Sequence, residues 1–122
     1  MILVEGKIKG KDRPRFYKGH AVTPQTTKNY EKLVKECYVE QGGELFLEAV
    51  KVKITVKHKL PKKTKLIYPT KKPDLDNIAK IILDGLNGVA YKDDTQVIKL
   101  SISKKWTNSI ECIEFEVKEY KE

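Results

Sequence analysis

The residues of this sequence that could do chemistry are three aspartates in two separated segments. Asp74 and Asp76 stand two residues apart, directly after Pro73. Proline favours extended backbone before it, and side chains i and i+2 of an extended segment project to the same side, so the two carboxylates can converge. Converging carboxylates repel each other, and a hard divalent cation with oxygen ligands is the usual compensation. The spacing therefore predicts a cation site.

A third carboxylate comes from Asp93-Asp94, beyond the far end of the helix predicted after Asp76. A strand that begins at Asp94 and runs beside this helix could bring Asp94 back to Asp74 and Asp76. Three carboxylates suit Mg²⁺, for which Mn²⁺ can substitute. We favour Asp94 over Asp93 as the third ligand. Taken separately, Asp76 reads as a helix cap and Asp93-Asp94 as an ordinary turn.

Lys80 lies four residues after Asp76 and hence on the same helical face, where its ammonium could meet a scissile phosphate. The alternative is a surface ion pair with Asp76 or Asp84, which would be worth little. Asp84 lies about 12 Å of helix from Asp76 and is expected to be a poorer ligand. The chemistry predicted for Asp74, Asp76, Lys80 and Asp94 is metal-assisted phosphodiester hydrolysis, with one or two ions.

The charge of the chain favours a polyanionic partner. Its 122 residues carry 25 Lys and Arg against 17 Asp and Glu, a formal net charge of +8. That excess could serve solubility alone, but the cations cluster, which favours nucleic acid bound in a salt-sensitive way. The residues predicted to contact DNA are Lys11, Arg13, Arg15, Lys62, Lys63, Lys65, Lys71 and Lys72.

The length and the periodicity predict one domain, residues 1–122, of the α+β class with the order β-α-β-α-β-β. An opening strand is expected over residues 2–8. The first helix is expected to start at Thr23-Pro24 and to stop at Gly42-Gly43. A strand with one solvent-exposed face follows over residues 45–57, and then a second helix that ends at Asn87-Gly88.

The last two strands are predicted over residues 97–105 and 110–118, joined as an antiparallel hairpin. Ile98, Leu100 and Ile102 are expected to face inward. The two helices should then pack on a largely antiparallel, mixed sheet. Between the middle strand and the second helix, residues 57–72 are rich in Lys and Pro and are predicted to be disordered without DNA.

The remaining titratable groups carry little functional signal. Cys37 and Cys112 are expected to be reduced thiols, since the sequence shows no secretory leader. His20 and His58 lack ligand-like spacing, and a surface or loop position is predicted for both. With no apolar stretch long enough to cross a bilayer, a cytoplasmic protein without a membrane partner or a small-molecule cofactor is expected.

Four segments of the chain resemble the RusA family of Holliday-junction resolvases, which is found in phages and bacterial prophages. The resemblance spans nearly the whole chain. It is carried by residues 10–16, by Thr23-Pro24, by residues 73–78 with Lys80, Asp84 and Leu86, and by residues 91–97.

The resemblance implies a homodimeric endonuclease that binds four-way DNA junctions and nicks two strands symmetrically with magnesium, in recombination and repair. By position, Asp74, Asp76 and Asp94 match the catalytic metal-binding acids of the family, and Lys80 matches its functional lysine. Tyr68 and Phe16 are candidates to wedge the junction open, with core packing as the favoured role for Phe16. The alternative interpretation is a non-catalytic, basic nucleic-acid-binding module.

Overall fold

The computed structural model describes residues 1–12, 15–22 and 24–122, and the side chains of residues 15–17 and 20–22 are outside this description. The helices and strands are β1 (Ile2–Glu5), β2 (Arg15–Tyr17), β3 (His20–Val22), α1 (Gln25–Glu40), β4 (Val50–Lys59), α2 (Leu75–Gly85), β5 (Val97–Thr107) and β6 (Cys112–Glu119), with a short 3-10 helix at Asp94–Gln96 before β5. The predicted β-α-β-α-β-β order is confirmed, with the small β2–β3 ribbon inserted before α1.

Four strands form one mixed sheet in the order β1-β6-β4-β5. β4 pairs in parallel with β5 and antiparallel with β6, and β1 pairs antiparallel with β6. The β2–β3 ribbon is a separate two-stranded sheet. The predicted α+β architecture, two helices with a mixed sheet, is therefore confirmed.

The predicted hairpin between the last two strands is wrong. β5 and β6 do not pair, because β4 lies between them and bonds to both. The physical reason is the crossover through α2, which returns the chain parallel to β4 on one side and leaves the other side of β4 free for β6. Residues 107–111 therefore cross the end of β4 instead of forming a tight turn.

The core lies between the sheet and the two helices. Ile54 and Phe115 on the sheet and Ile78 and Ile82 on α2 are almost fully buried. The helices approach closely at Gly85, where an added Cβ would stand 3.0 Å from the backbone oxygen of Glu31. The absence of a side chain at that position lets α1 and α2 share one layer over the sheet.

The prediction that the apolar residues of the edge strand β5 face inward is wrong for two of the three. Ile98 is 58% exposed and Leu100 is 41% exposed, whereas Ile102 is partly buried and packs on the core. α2 lies against part of β5, but it leaves Ile98 and Leu100 uncovered, so β5 keeps an apolar surface open to solvent. The outer edge of β5 pairs with no other strand among the described residues.

His58 also differs from its predicted surface or loop position. It is the ninth residue of β4 and its side chain is 2% exposed, edge-on to the ring of Trp106 at 6.3 Å between centroids. The period-two pattern of β4 continues two residues further than expected, which places His58 on the same face as Val56. The side chain of His20 lies outside the described part.

The ends of the elements agree with the turn residues of the sequence. α1 has Pro24 as its N-cap residue and ends before Gly42, whose φ is +84°. Thr23, expected to help start this helix, lies outside the described residues. Cys37 and Cys112 are free thiols, partly and fully buried. None of the described helices has the length and apolar character needed to cross a membrane.

Candidate functional site

Asp74 and Asp76 stand at the start of α2 with both side chains exposed. Asp74 is the N-cap residue, with extended backbone at φ −68° and ψ 151°, but its side chain makes no capping hydrogen bond. Asp76 lies in the first helical turn. Neither carboxylate has an ion-pair partner among the described residues. The helix dipole favours negative charge at this end, and both groups are free to take a ligand.

One face of α2 carries Asp76, Lys80 and Asp84 at intervals of four residues, while Ile78, Ile81 and Ile82 bury the opposite face. Lys80 is exposed and Asp84 is half-buried. The polar residues therefore form a line along the outside of the helix, as the spacing predicted.

Asp94 meets Asp84 at the far end of that line. The pKa of Asp94 is raised, mainly by burial, then by the negative charges of Asp93 and Asp84 and by a hydrogen bond with the Asp84 carboxyl. Both side chains are partly shielded from water. Two carboxyl groups in such contact favour sharing a proton or a cation. The expectation that Asp84 is a poorer metal ligand stays a prediction, and its contact with Asp94 was not predicted from the sequence.

Asp93 has a different role from its neighbour. Its carboxylate accepts a hydrogen bond from the Thr95 backbone N–H at 3.2 Å, and the Gln96 side chain accepts one from the Asp93 N–H at 3.3 Å. This capping box closes the 3-10 helix, and the bond from Thr95 lowers the pKa of Asp93. Asp93 is therefore occupied by local structure, whereas Asp94 is directed toward α2.

Tyr91 positions the segment that carries Asp94. Its ring is fully buried and its hydroxyl donates to the Leu83 backbone oxygen at 2.7 Å. Burial, followed by the charges of Asp94 and Asp84, raises the pKa of Tyr91, so the phenol stays protonated as a donor. No functional motif singled out this tyrosine, although it lies within the segment 91–97.

Lys11 neutralises part of the acidic group. Its ammonium lies 2.9 Å from a Glu31 oxygen and 3.0 Å from an Asp84 oxygen. Burial acts against this charge, but the hydrogen bonds to the two carboxylates outweigh it and raise the pKa of Lys11. Lys11 was predicted to contact DNA, and in this structure its charge is paired within the protein. Glu31, on α1, carried no sequence signal for this contact.

An open cleft of about 630 Å³ lies beside Asp74. Its walls are the segments 7–12 and 72–77, joined where the Lys11 N–H donates to the Asn77 oxygen at 2.9 Å. Gly10 allows this approach, since a Cβ there would stand 2.8 Å from the Cβ of Pro73. The charged side chains lining the cleft are those of Lys7, Lys9, Lys11, Lys72, Asp12 and Asp74.

The structure describes some of the side chains that were predicted to contact DNA. Lys62, Lys63, Lys65, Lys71 and Lys72 are exposed on the segment between β4 and α2, without carboxylate partners in the described chain. Arg13 and the side chain of Arg15 lie outside the description, as does the side chain of Phe16.

The three predicted metal ligands do not converge in one described chain. Asp74 and Asp76 are at the start of α2, and Asp94 contacts Asp84, about 12 Å of helix further on. Accordingly, no group of three His, Cys, Asp or Glu side chains in the described residues could hold a metal ion. The acids form two pairs, Asp74 with Asp76 at the start of α2 and Asp84 near its end with Asp94 from the turn before β5, and Lys80 lies on α2 between Asp76 and Asp84.

Comparison with known proteins identifies the family. The profile of the family described as Endodeoxyribonuclease RusA matches residues 5–118. A curated relative, the "Uncharacterized protein YqaN" of Bacillus subtilis (strain 168), is 54% identical over 39 residues, which is 32% of this chain and 28% of that protein. The match thus spans just over a quarter of the length of that relative. Because the family profile covers nearly all of the sequence, this chain belongs to the RusA endodeoxyribonuclease family.

Proposed function

We propose that this protein resolves four-way DNA junctions by paired, magnesium-dependent phosphodiester hydrolysis, as a homodimer acting in recombination and repair. The observation that carries the proposal is the position of Asp74 and Asp76. They are two exposed, unneutralised carboxylates at a helix start, and Asp74 lines a cleft that also presents Lys7 and Lys72. The other two lysines of the cleft, Lys9 and Lys11, are ion-paired with carboxylates of the protein. A phosphate backbone is attracted by the lysines, and the carboxylates can act on it only if a cation relieves their repulsion.

The donor set fits magnesium. This ion is often held by one or two carboxylates together with phosphate oxygens and water, without a complete protein cage. Asp74 and Asp76 supply such a pair, and Mn²⁺ can take the same ligands. When bound, the ion would supply Lewis-acid activation of the phosphodiester. A metal-regulated structural protein would need no basic cleft beside these acids.

Lys80 and Asp94 complete the proposed catalytic group. Lys80 is exposed one turn after Asp76, where its ammonium can stabilise negative charge that develops on the phosphate. Asp94 is held toward α2 by Tyr91 and by the capping box of Asp93. The contact between Asp94 and Asp84 leaves Asp94 at the end of α2 remote from Asp76, so this acid can join the first pair only from another chain or after a rearrangement.

The unpaired edge of β5 supports a homodimer. Strand edges of this length with exposed Ile98 and Leu100 are templates for pairing. A two-fold antiparallel pair centred on Leu100 sets Ile98 opposite Ile102 and Lys99 opposite Ser101, so apolar residues meet and no two lysines face each other.

That pairing also brings the two halves of the proposed site together. It directs the start of one β5, next to Asp94, toward the end of the other β5, where Lys104 donates to the Lys71 oxygen three residues before Asp74. The acids of one copy would thereby approach those of its partner. Two related sites on a two-fold axis suit a substrate that needs two related cuts.

The decisive experiment compares a synthetic four-way junction with a linear duplex of the same sequence, with and without Mg²⁺. Asp76→Asn should abolish cutting while it preserves or tightens junction binding, because it removes a negative charge that repels phosphate. Glu40→Gln, an exposed acid at the end of α1, is the matched control and should cut normally. Unchanged cutting by Asp76→Asn would contradict the proposed site.

Salt-sensitive binding by the wild-type chain without any magnesium-dependent cutting would instead favour the non-catalytic binding module. The two functions are separated by the same gel, since binding and cleavage products are resolved independently.

A further inference from the structure

The four-stranded sheet has a second face, opposite the one that the helices cover. On β4, Val52, Ile54 and Val56 are buried in the core together with residues of α1 and α2. Side chains alternate along a strand, so the residues between these three are directed away from the helices. The register of β4 with β5 aligns the outward positions of the two strands. From residue 51 to 59 and from 99 to 107, every outward position is Lys, Ser or Thr.

Four of these outward lysines are not neutralised. All four are exposed, and none forms an ion pair in the described chain. We call them the lysine face: Lys51, Lys53, Lys99 and Lys105. The carboxylates of the neighbouring strand β6 are already paired with other lysines. A Glu114 oxygen lies 2.5 Å from the Lys57 ammonium, and a Glu116 oxygen lies 3.7 Å from that of Lys118. The lysine face therefore carries an excess of positive charge.

Like charges stand directly opposite one another on the lysine face. Lys51 is the register partner of Lys99 on one side and of Lys118 on the other. Like-charged side chains in such positions destabilise a sheet. Lysines can protect an edge strand from aggregation, but Lys51 and Lys53 are on β4, which is bonded on both sides. A polyanionic ligand explains the lysines of both strands, whereas edge protection explains only those of β5.

The lysine face has the extent and the chemistry to bind a phosphate backbone. Lys99 and Lys105 lie on the same strand, about 20 Å apart, a length over which a DNA duplex has about six base pairs. The serine hydroxyls between them can donate hydrogen bonds to phosphate oxygens. Lys51, Lys53 and Lys99 line a depression of about 280 Å³ at one end of the face. Because the outward positions hold only Lys, Ser and Thr, the face favours phosphates over the stacking of unpaired bases.

We propose that the lysine face is a second DNA-binding surface, which holds the phosphate backbone of a duplex on the side of the sheet away from the acids. α2, with Asp74 and Asp76 at its start, packs on the other side of the sheet. One chain can then hold a duplex at the cleft beside Asp74 and another at the lysine face. The second contact reads no base sequence, since it is made to phosphates. This surface goes beyond the proposed cutting and does not depend on it.

The first test locates the contact by limited acetylation of lysines in the full-length chain, read by mass spectrometry, with and without a saturating linear duplex and without Mg²⁺. Lys51, Lys53 and Lys99 should lose most of their acetylation when the duplex is bound. Lys28 and Lys32, on α1, should stay as reactive as in the free chain. The protection should disappear at about 1 M salt, where charges are screened beyond about 3 Å. Unchanged acetylation of the three lysines of the sheet would overturn the proposal.

The second test removes the charges. A triple variant with Lys51→Gln, Lys53→Gln and Lys99→Gln should bind fewer linear duplexes per chain at saturation than the wild type, measured by sedimentation with labelled DNA. It should melt at or above the wild-type temperature, because the repulsion between the facing lysines is gone. A thermal scan therefore separates a lost contact from a damaged fold. Equal capacity of this variant and the wild type for duplex DNA would overturn the proposal.

The matched control carries Lys28→Gln, Lys32→Gln and Lys121→Gln, three exposed lysines outside the lysine face. It loses the same net charge and should bind as many duplexes per chain as the wild type. An equal loss of capacity in the control would also contradict the proposal, since the effect would then come from net charge alone.

An anionic membrane is the other surface that could attract these lysines. If the triple variant of the lysine face lost binding to anionic phospholipid vesicles while its capacity for duplex DNA stayed that of the wild type, the face would be a membrane contact and the proposal would fail. Cutting of a four-way junction by the wild type with Mg²⁺ is scored separately. Failure to cut would refute the proposed nuclease, whereas the acetylation pattern and the duplex capacity judge the lysine face alone.

Discussion

The carboxyl groups of Asp84, at the end of α2, and Asp94, at the turn before β5, lie close enough for the charge of Asp84 to help raise the pKa of Asp94. Burial and the neighbouring charge of Asp93 add to the cost of ionising Asp94. Lys11, 3.0 Å from Asp84, offsets only part of the negative charge because it is shared with Glu31. A shared proton or a bound cation would relieve the remaining repulsion between these two acids.

Replacing Asp94 by Asn should separate function from stability. Loss of the like charge beside Asp84 should leave the melting temperature unchanged or raise it by a few degrees, while junction cutting is lost. The control is Asp93→Asn, which retains a capping side chain and should cut normally. If the Asp93 variant loses cutting and the Asp94 variant does not, the assignment of the two acids is reversed.

Lys11→Met should destabilise the fold by about 1 kcal/mol, because Glu31 and Asp84 then lose a partly buried cation. Urea unfolding measures the loss, and a double-mutant cycle with Glu31→Gln isolates the pair. Lys32→Met, whose ammonium stands 3.9 Å from Glu36 in an exposed pair, should cost almost nothing. Similar losses for both variants would show that the Lys11 contacts are no stronger than a surface pair.

Gly10→Ala should open the cleft beside Asp74. The new methyl group would lie 2.8 Å from the Cβ of Pro73 and 3.0 Å from that of Asn77, so the segment 7–12 must move. We expect a stability loss of about 1–3 kcal/mol and weaker junction binding. Gly85→Ala is a useful comparison, since it meets α1 instead and should lower stability with binding intact in the folded fraction.

Stability should decline on mild acidification because of His58. Burial lowers the pKa of this imidazole below its usual 6.5; Glu111 acts in the opposite direction, and Lys71 and Lys104 lower it further. The folded chain therefore binds the proton less readily than the unfolded chain. The stabilisation of the folded state that follows from this difference is fully present above pH 6.5. It is lost as the pH falls through the lowered pKa of His58 in the folded chain. His58→Phe should flatten the dependence of the unfolding free energy on pH between 7 and 5.5. If the slope were unchanged in this variant, the pH dependence would come from other groups.

Mixed dimers should reveal whether the site is shared between copies. Asp76→Asn and Asp94→Asn chains are each expected to be inactive alone. If Asp94 acts with the Asp74–Asp76 pair of a partner, co-refolded mixtures contain dimers with one intact and one doubly altered site, and single-strand nicking returns. Mixtures that stay inactive, with heterodimers verified by mass, would place all three acids within one chain.

The local pattern of the sequence was sufficient for most elements. Alternation along β4, the apolar stripe of α2 and the glycines after each helix depend on neighbouring residues only, so they predicted the order of elements correctly. The same local reasoning failed for β5 and β6, because proximity in the chain favours a hairpin while the choice of strand partner depends on the whole sheet. Local reasoning also failed for His58, because the alternating pattern of β4 does not show how far along the strand the side chains remain buried.

By itself, the sequence determined that this is an α+β chain of the RusA family, with acids at both ends of one helical face and lysines in clusters, because residue types and short spacings are written directly in it. Only the tertiary structure decided which acids touch. Asp94 lies beside Asp84 and Lys11 pairs with Glu31, because each contact arises from segments that are brought together by packing. Such long-range contacts depend on how helices and strands fill one core, and no local spacing encodes them.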